Sequence, residues 1–181
     1  LPIFLLFFGF IGYYGFSNLG SLMGVYGDVD SAIEQAQVIQ QDLLREDAYG
    51  TNNYDIGQID GSIGGMVSLA PIAVFTAIYR PLFWEIGSPM MVISVLENTI
   101  LLLFTCYLFF SVGPFRLIRI LLSEPILLYA FVFSLLFAFG VGLAGTNFGA
   151  LVRYKVPLMP FYFPMIFLVY RISKNKNKNS I

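Results

Sequence analysis

Apolar positions come in long blocks along this chain, separated by short polar or proline-marked breaks, rather than alternating with polar ones. Blocks over about 3–16, 63–79, 89–112, 125–144 and 157–170 carry almost no charge. Roughly 18 or more such residues suffice for a helix to cross a hydrocarbon core. Three blocks are short for that purpose, 3–16 among them, and the other two contain proline: Pro71 in 63–79, and Pro157, Pro160 and Pro164 in 157–170. A tilted or re-entrant course for 63–79 is therefore left open. The pattern changes near Asp30. Val29, Ala32, Ala36, Ile39 and Leu43 recur at spacings of three and four, which predicts an amphipathic helix over about 30–46. Asp30 or Ser31 serves as its N-cap, with Glu34 close to capping-box spacing. Stretches on either side of this helix, about 17–29 and 47–62, are rich in Gly, Asn, Asp and Ser and read as loops. The Lys/Asn stretch 172–181 has nothing to build a core and reads as a disordered basic tail. The predicted class is all-α, a polytopic transmembrane helical bundle of about four or five membrane segments with one interfacial helix.

Composition sharpens this picture. Apolar residues make up 57% of the 181 residues and charged residues 12%, with a mean hydropathy of +0.77. A soluble domain carries about a quarter charged residues, so this chain has too little polar surface to cover a globule in water. The lipid bilayer is its expected partner. The chain opens inside an apolar block, with neither a basic leader nor a small-residue cleavage site, and reads as the C-terminal part of a longer protein. Cys106 is the single cysteine and there is no histidine. Disulfides, thiolate metal sites and His-dependent catalysis are excluded for these residues. No metal and no cofactor is expected, and no residue can be assigned a catalytic role.

Charge is segregated. Asp28, Asp30, Glu34, Asp42, Glu46, Asp47, Asp55 and Asp60 precede position 61, with Arg45 as the one base among them; bases dominate afterwards. They are scattered along the block boundaries rather than gathered on one face, so no nucleic acid is implied. If the later blocks all span, the 113–124 loop and the tail share one side, with Arg116, Arg119, Arg171, Lys174, Lys176 and Lys178. The other side has only Arg80, Arg153 and Lys155. The positive-inside rule then makes the tail cytoplasmic and the 80–88 and 146–157 loops external, with the side of 17–62 left open.

That topology makes Arg80, Glu85, Arg153, Tyr154 and Lys155 neighbours at one membrane edge, beside Trp84. Arginine and lysine together suit a phosphate, and aromatic faces suit sugar rings. The competing reading is anchoring, because Arg, Lys, Trp and Tyr all favour the interface for their own solvation. Glu97 and Asn98 are the polar residues inside the 89–112 block. A carboxylate there should face protein, water or a basic partner, for which Arg80 and Arg153 are candidates, unless Glu97 reaches the interface.

The segment RYKVPLMP, Arg153 to Pro160, has the form R-Y-x-x-P-x-x-P. It resembles the opening of a late transmembrane helix in polyprenyl-phosphate-sugar-dependent membrane glycosyltransferases of the C superfamily. With YRPLFWE and LEN, the layout is similar to integral membrane proteins encoded with bacterial surface-polysaccharide genes. The resemblance implies a multi-pass protein of the bacterial inner membrane, a polyprenyl-phosphate-linked sugar as ligand, and a role in lipid-linked glycan assembly. Lys155 departs from that pattern, standing at what is commonly an apolar position. The superfamily's catalytic carboxylates lie in an early loop with no counterpart in these residues. Two other readings stay open: a transporter or channel subunit with Glu97 in a substrate path, and a structural subunit that docks a protein partner through its amphipathic helix.

Overall fold

The computed structural model describes residues 29–45, 52–57, 59, 61–89 and 91–178, together with Phe7, Phe10, Ile11 and Tyr14. The 3–16 block, the 17–28 loop and part of the 47–62 connector thus lie largely outside the described residues. What is described is all-α, with no strand. The helices are α1 (Val29–Leu43), α2 (Ile63–Tyr79), α3 (Met91–Val112), α4 (Pro114–Ser123), α5 (Pro125–Ala144), α6 (Phe148–Tyr154) and α7 (Met159–Lys178). Short 3₁₀ turns at Phe83–Glu85 and Val156–Leu158 join α2 to α3 and α6 to α7.

Among the described residues three stretches are long and apolar enough to cross a membrane: Met91–Val112, Pro125–Ala144 and the near-continuous Phe148–Asn175. The sequence led us to expect four or five. The difference lies at 1–16, mostly outside the described residues, and at α2, whose 17 residues form a shorter apolar helix. The last span is also longer than its apolar block. It starts upstream at Phe148, and α7 continues to Lys178, into the stretch read as a disordered tail.

α5 is the centre of the bundle, touching α1, α2, α4 and α7. Its buried positions Ala130, Ser134, Ala138 and Gly142 recur every four residues, so one side of the helix is small. Ala73 and Ala77 of α2 are likewise fully buried. A Cβ on Gly142 would overlap the backbone carbonyl of Ala73, so the two backbones meet there without intervening side chains. Small residues permit this approach in lipid, where dispersion contacts rather than water exclusion hold helices together. Hydroxyl groups add a second link. Tyr79 of α2 and Tyr162 of α7 share a hydrogen bond of 2.6 Å, and Thr105 of α3 lies 3.2 Å from the Tyr162 hydroxyl.

Two elements differ from expectation. The 113–124 stretch, read as a loop, contains the ten-residue helix α4. Gly113 takes φ +83° at its N-cap and Pro114 opens its first turn, a combination that turns the chain sharply out of α3. Ile120 is buried and Arg116 donates to the Ser173 carbonyl of α7 at 2.9 Å. On α1 the inward face keeps part of the predicted stripe, with Leu43 buried and Ala36 packed on the core, and adds Ile33 and Gln40. Gln37 donates to the Ile59 carbonyl at 2.6 Å and Gln40 to the Gly57 carbonyl at 3.0 Å. These glutamines tie the helix to the connector, because burying an amide is tolerable only when it is hydrogen-bonded. The surface on which α1 docks is α5 of its own chain.

Candidate functional site

The polar residues collect at one end of the bundle, where the connector, the α2–α3 turn and the start of α6 meet. Backbone pairing brings the segments together. Tyr54 donates its N–H to the Thr146 carbonyl at 2.8 Å, and Phe148 donates to the Asn52 carbonyl at 3.1 Å, around an isolated antiparallel bridge between Asn53 and Asn147. Asn147 caps α6: its side-chain oxygen accepts from the N–H groups of Gly149 and Ala150 at 2.8 and 3.3 Å. Its amide nitrogen donates to Asn53 Oδ1 at 2.9 Å.

Arg80, the residue that ends α2, lies on this platform. Its guanidinium carbon is 4.6 Å from the Tyr54 ring centroid and 5.2 Å from that of Phe148, a cation–π arrangement. Its Nε donates to Glu85 Oε1 at 2.8 Å, and Nη2 donates to the same oxygen. Glu85 Oε2 accepts from the Leu82 N–H at 2.8 Å. Both side chains are mostly buried, so the charges cancel locally and the turn is held closed. The Arg80–Pro81 peptide is cis. Burial holds the Tyr54 phenol well above its usual pKa, against a smaller opposing pull from Arg80, and keeps it neutral.

Behind this platform sits Lys155, buried at 6% exposure. Its ammonium donates to Asn98 Oδ1 and, at 3.5 Å, to the Arg80 carbonyl. Asn98 Nδ2 donates to the same carbonyl at 2.8 Å and to that of Pro81 at 3.4 Å. A cation at a helix C-terminus meets the negative end of the helix dipole. Lys155 and Asn98 therefore position the end of α2 and, through it, the Arg80 side chain.

The five residues placed at one edge by topology are thus sorted into separate settings. Arg80 and Glu85 form one ion pair, and Lys155 lies behind them, bonded to neutral oxygens. Arg153 and Tyr154 are exposed. They line a different groove, about 790 Å³, with Val38 and Ile39 of α1 and Phe137 and Val141 of α5. Arg153 donates to the Gly149 carbonyl at 3.0 Å, one turn back on its own helix. Of the alternatives for Glu97, pairing with Arg80 or Arg153 is not the one formed; the residue is exposed. Arg80 is taken by Glu85, which lies five residues along the same turn, and Glu97 is exposed on α3 while its neighbour Asn98 turns inward.

What faces solvent at this end is a recess of about 460 Å³. Asn52, Asn53, Asp55 and Trp84 line it, and its floor is the Arg80–Glu85 pair with Tyr54 and Phe148. Amides, a carboxylate and aromatic faces, with the arginine already neutralised, suit a neutral ligand rich in hydroxyl groups better than a phosphate. Among the described residues no group of three metal-ligating side chains occurs. Sequence reasoning picked out Arg80, Glu85 and Trp84 but passed over Tyr54, Asn147 and Phe148. The single available signal was the N-F-G cap pattern at Asn147.

No family model matches the chain, and neither the curated proteins nor the solved structures include one similar to it. The described residues are helical, and three helices among them are long and apolar enough to cross a membrane.

Proposed function

We propose that this chain is a membrane-embedded component of lipid-linked glycan assembly at the cell surface, and that it holds a sugar unit in the recess at the end of the bundle. The observation that carries the reading is the lining of that recess. Asn52, Asn53 and Asp55 offer donors and acceptors for hydroxyl groups, and Trp84, at 67% exposure, offers a stacking face. The R-Y-x-x-P-x-x-P resemblance supports the same context. A phosphate cradle built jointly from Arg80, Arg153 and Lys155 is not part of the proposal, since these cations lie in separate settings. The bilayer supplies the hydrocarbon partner, and the C-terminal side is cytoplasmic in this reading.

Trp84 is the only tryptophan in the chain, so its emission reports on the recess alone. In lipid vesicles free of other protein, a polyprenyl-linked sugar should shift or quench that emission, whereas the unglycosylated polyprenyl phosphate should not. Trp84→Ala should lower cell-surface glycan output with protein level unchanged, and Trp84→Tyr should recover part of it. Normal output from Trp84→Ala, at normal protein level, would overturn the reading and leave Trp84 as an interfacial anchor.

A further inference from the structure

Lys155 presents a buried charge that is hydrogen-bonded to neutral oxygens alone. A lysine ammonium has three N–H donors, and the acceptors around this one, Asn98 Oδ1 and the Arg80 carbonyl, are both neutral. Among the described residues it makes no ion pair. Glu97 acts on it through space from the same pocket, without a direct bond; a buried cation with no bonded counter-ion is costly and marks a site for a partner. The same side chain lines a pocket of about 470 Å³ with Glu97, Ile100, Val156, Met159 and Phe163. Ile100, Val156 and Phe163 are exposed, so the pocket opens sideways on the apolar flank between α3 and α7, not into the sugar recess. It lies at the end of the bundle that carries the exposed Trp84, the depth at which lipid headgroups sit.

We propose that this pocket binds a phospholipid whose headgroup carries both a phosphate and a primary ammonium. The phosphate accepts the third N–H of Lys155 and supplies a directly bonded negative charge. The ammonium meets Glu97 at the exposed rim. The acyl chains lie along Ile100, Val156 and Phe163. A headgroup with the phosphate alone satisfies Lys155 but is repelled by Glu97, and a trimethylated one has no N–H to give the carboxylate. The order of charges, cation deep and anion at the rim, selects the dipolar lipid. This site is separate from the recess and does not rest on the glycan reading.

The test is native mass spectrometry of the whole chain from micelles holding equimolar phosphatidylethanolamine, phosphatidylglycerol and phosphatidylcholine. Wild-type protein should retain phosphatidylethanolamine about threefold or more over phosphatidylglycerol, the size of effect one partly exposed ion pair gives. Glu97→Gln, an exposed change that leaves the fold alone, should bring that ratio to about one or below, because the rim charge sets it. Ile100→Trp, which fills the mouth, and Lys155→Met should both reduce retained lipid, and Ile100→Trp decides the matter if Lys155→Met fails to fold. Equal retention of the two lipids by wild type, or an unchanged ratio in Glu97→Gln, overturns the proposal.

Discussion

Arg80 shows how much a single residue's setting depends on contacts that spacing does not reveal. Its pairing with Glu85 was within reach of the sequence, since both sit in the short turn YRPLFWE. The aromatic platform beneath it was not, because Tyr54 and Phe148 come from segments far apart in the chain and meet only through the Asn53–Asn147 bridge. The pair is mostly buried, so removing one member strands the other charge. Glu85→Gln should cost about 3 kcal/mol of stability, the scale of a broken buried ion pair, read as a lower unfolding midpoint in detergent. Adding Arg80→Gln should return part of that loss, since two neutral amides can bond to each other and to the Leu82 N–H. A double variant no more stable than Glu85→Gln alone would show that the pair is incidental. Lys155 illustrates the opposite limit. Its sequence position marks it as odd, yet its burial follows from the hydrogen bond that joins it to Asn98 of α3, 57 residues away in the chain.

At the scale of elements, the long apolar helices were legible because uninterrupted hydrophobicity over twenty residues has few other solutions. α4 was not. Its Arg116 and Arg119 made 113–124 look like a loop, yet the apolar residues Leu117, Ile120 and Leu121 between and after them form the face that packs on the bundle. α1 was legible as a helix and, at Ala36 and Leu43, in its facing; the inward Gln40 was not, because glutamines bonded to backbone carbonyls can lie inward as well as alanines can. The close crossing of α2 and α5 rests on one atom's absence. Gly142→Ala would drive a methyl into the Ala73 carbonyl, which is backbone and cannot swing aside. The cost should be about 1–3 kcal/mol, as for other overpacked cores. Gly140, two residues away on the same helix, has open space where its Cβ would stand. Gly140→Ala should instead stabilise by up to about 1 kcal/mol through helix propensity. Comparing the two unfolding midpoints in one detergent separates crowding from propensity; equal midpoints would mean that α2 and α5 do not meet as closely as described.

The arrangement of the whole molecule follows from which end each connection occupies. The Arg80–Glu85 turn and the start of α6 are joined by direct hydrogen bonds and ring contacts to the same connector, so they share an end. α3 runs from that end to Gly113, and α5 returns from Pro125, which leaves α4 at the opposite end. Arg116 and Arg119 lie there, and Arg116 reaches α7 near its Lys-rich terminus. An excess of Lys and Arg marks the cytoplasmic side of a membrane protein, so α4 should face the cytoplasm and the recess should face out. Cys106, the one native cysteine, can be replaced by Ser, and single cysteines introduced at Ser88 and Ser123 then report the two ends. A membrane-impermeant maleimide added to intact cells should label Ser88→Cys, and should reach Ser123→Cys only after the membrane is opened. The reverse pattern would invert the molecule and place the recess in the cytoplasm. Labelling of both in intact cells would mean that α3 does not cross the membrane at all. The outward result matters beyond topology, because only a recess on the outer side is placed to receive a sugar carried across on a lipid. A recess on the inner side would meet soluble, nucleotide-activated sugars instead.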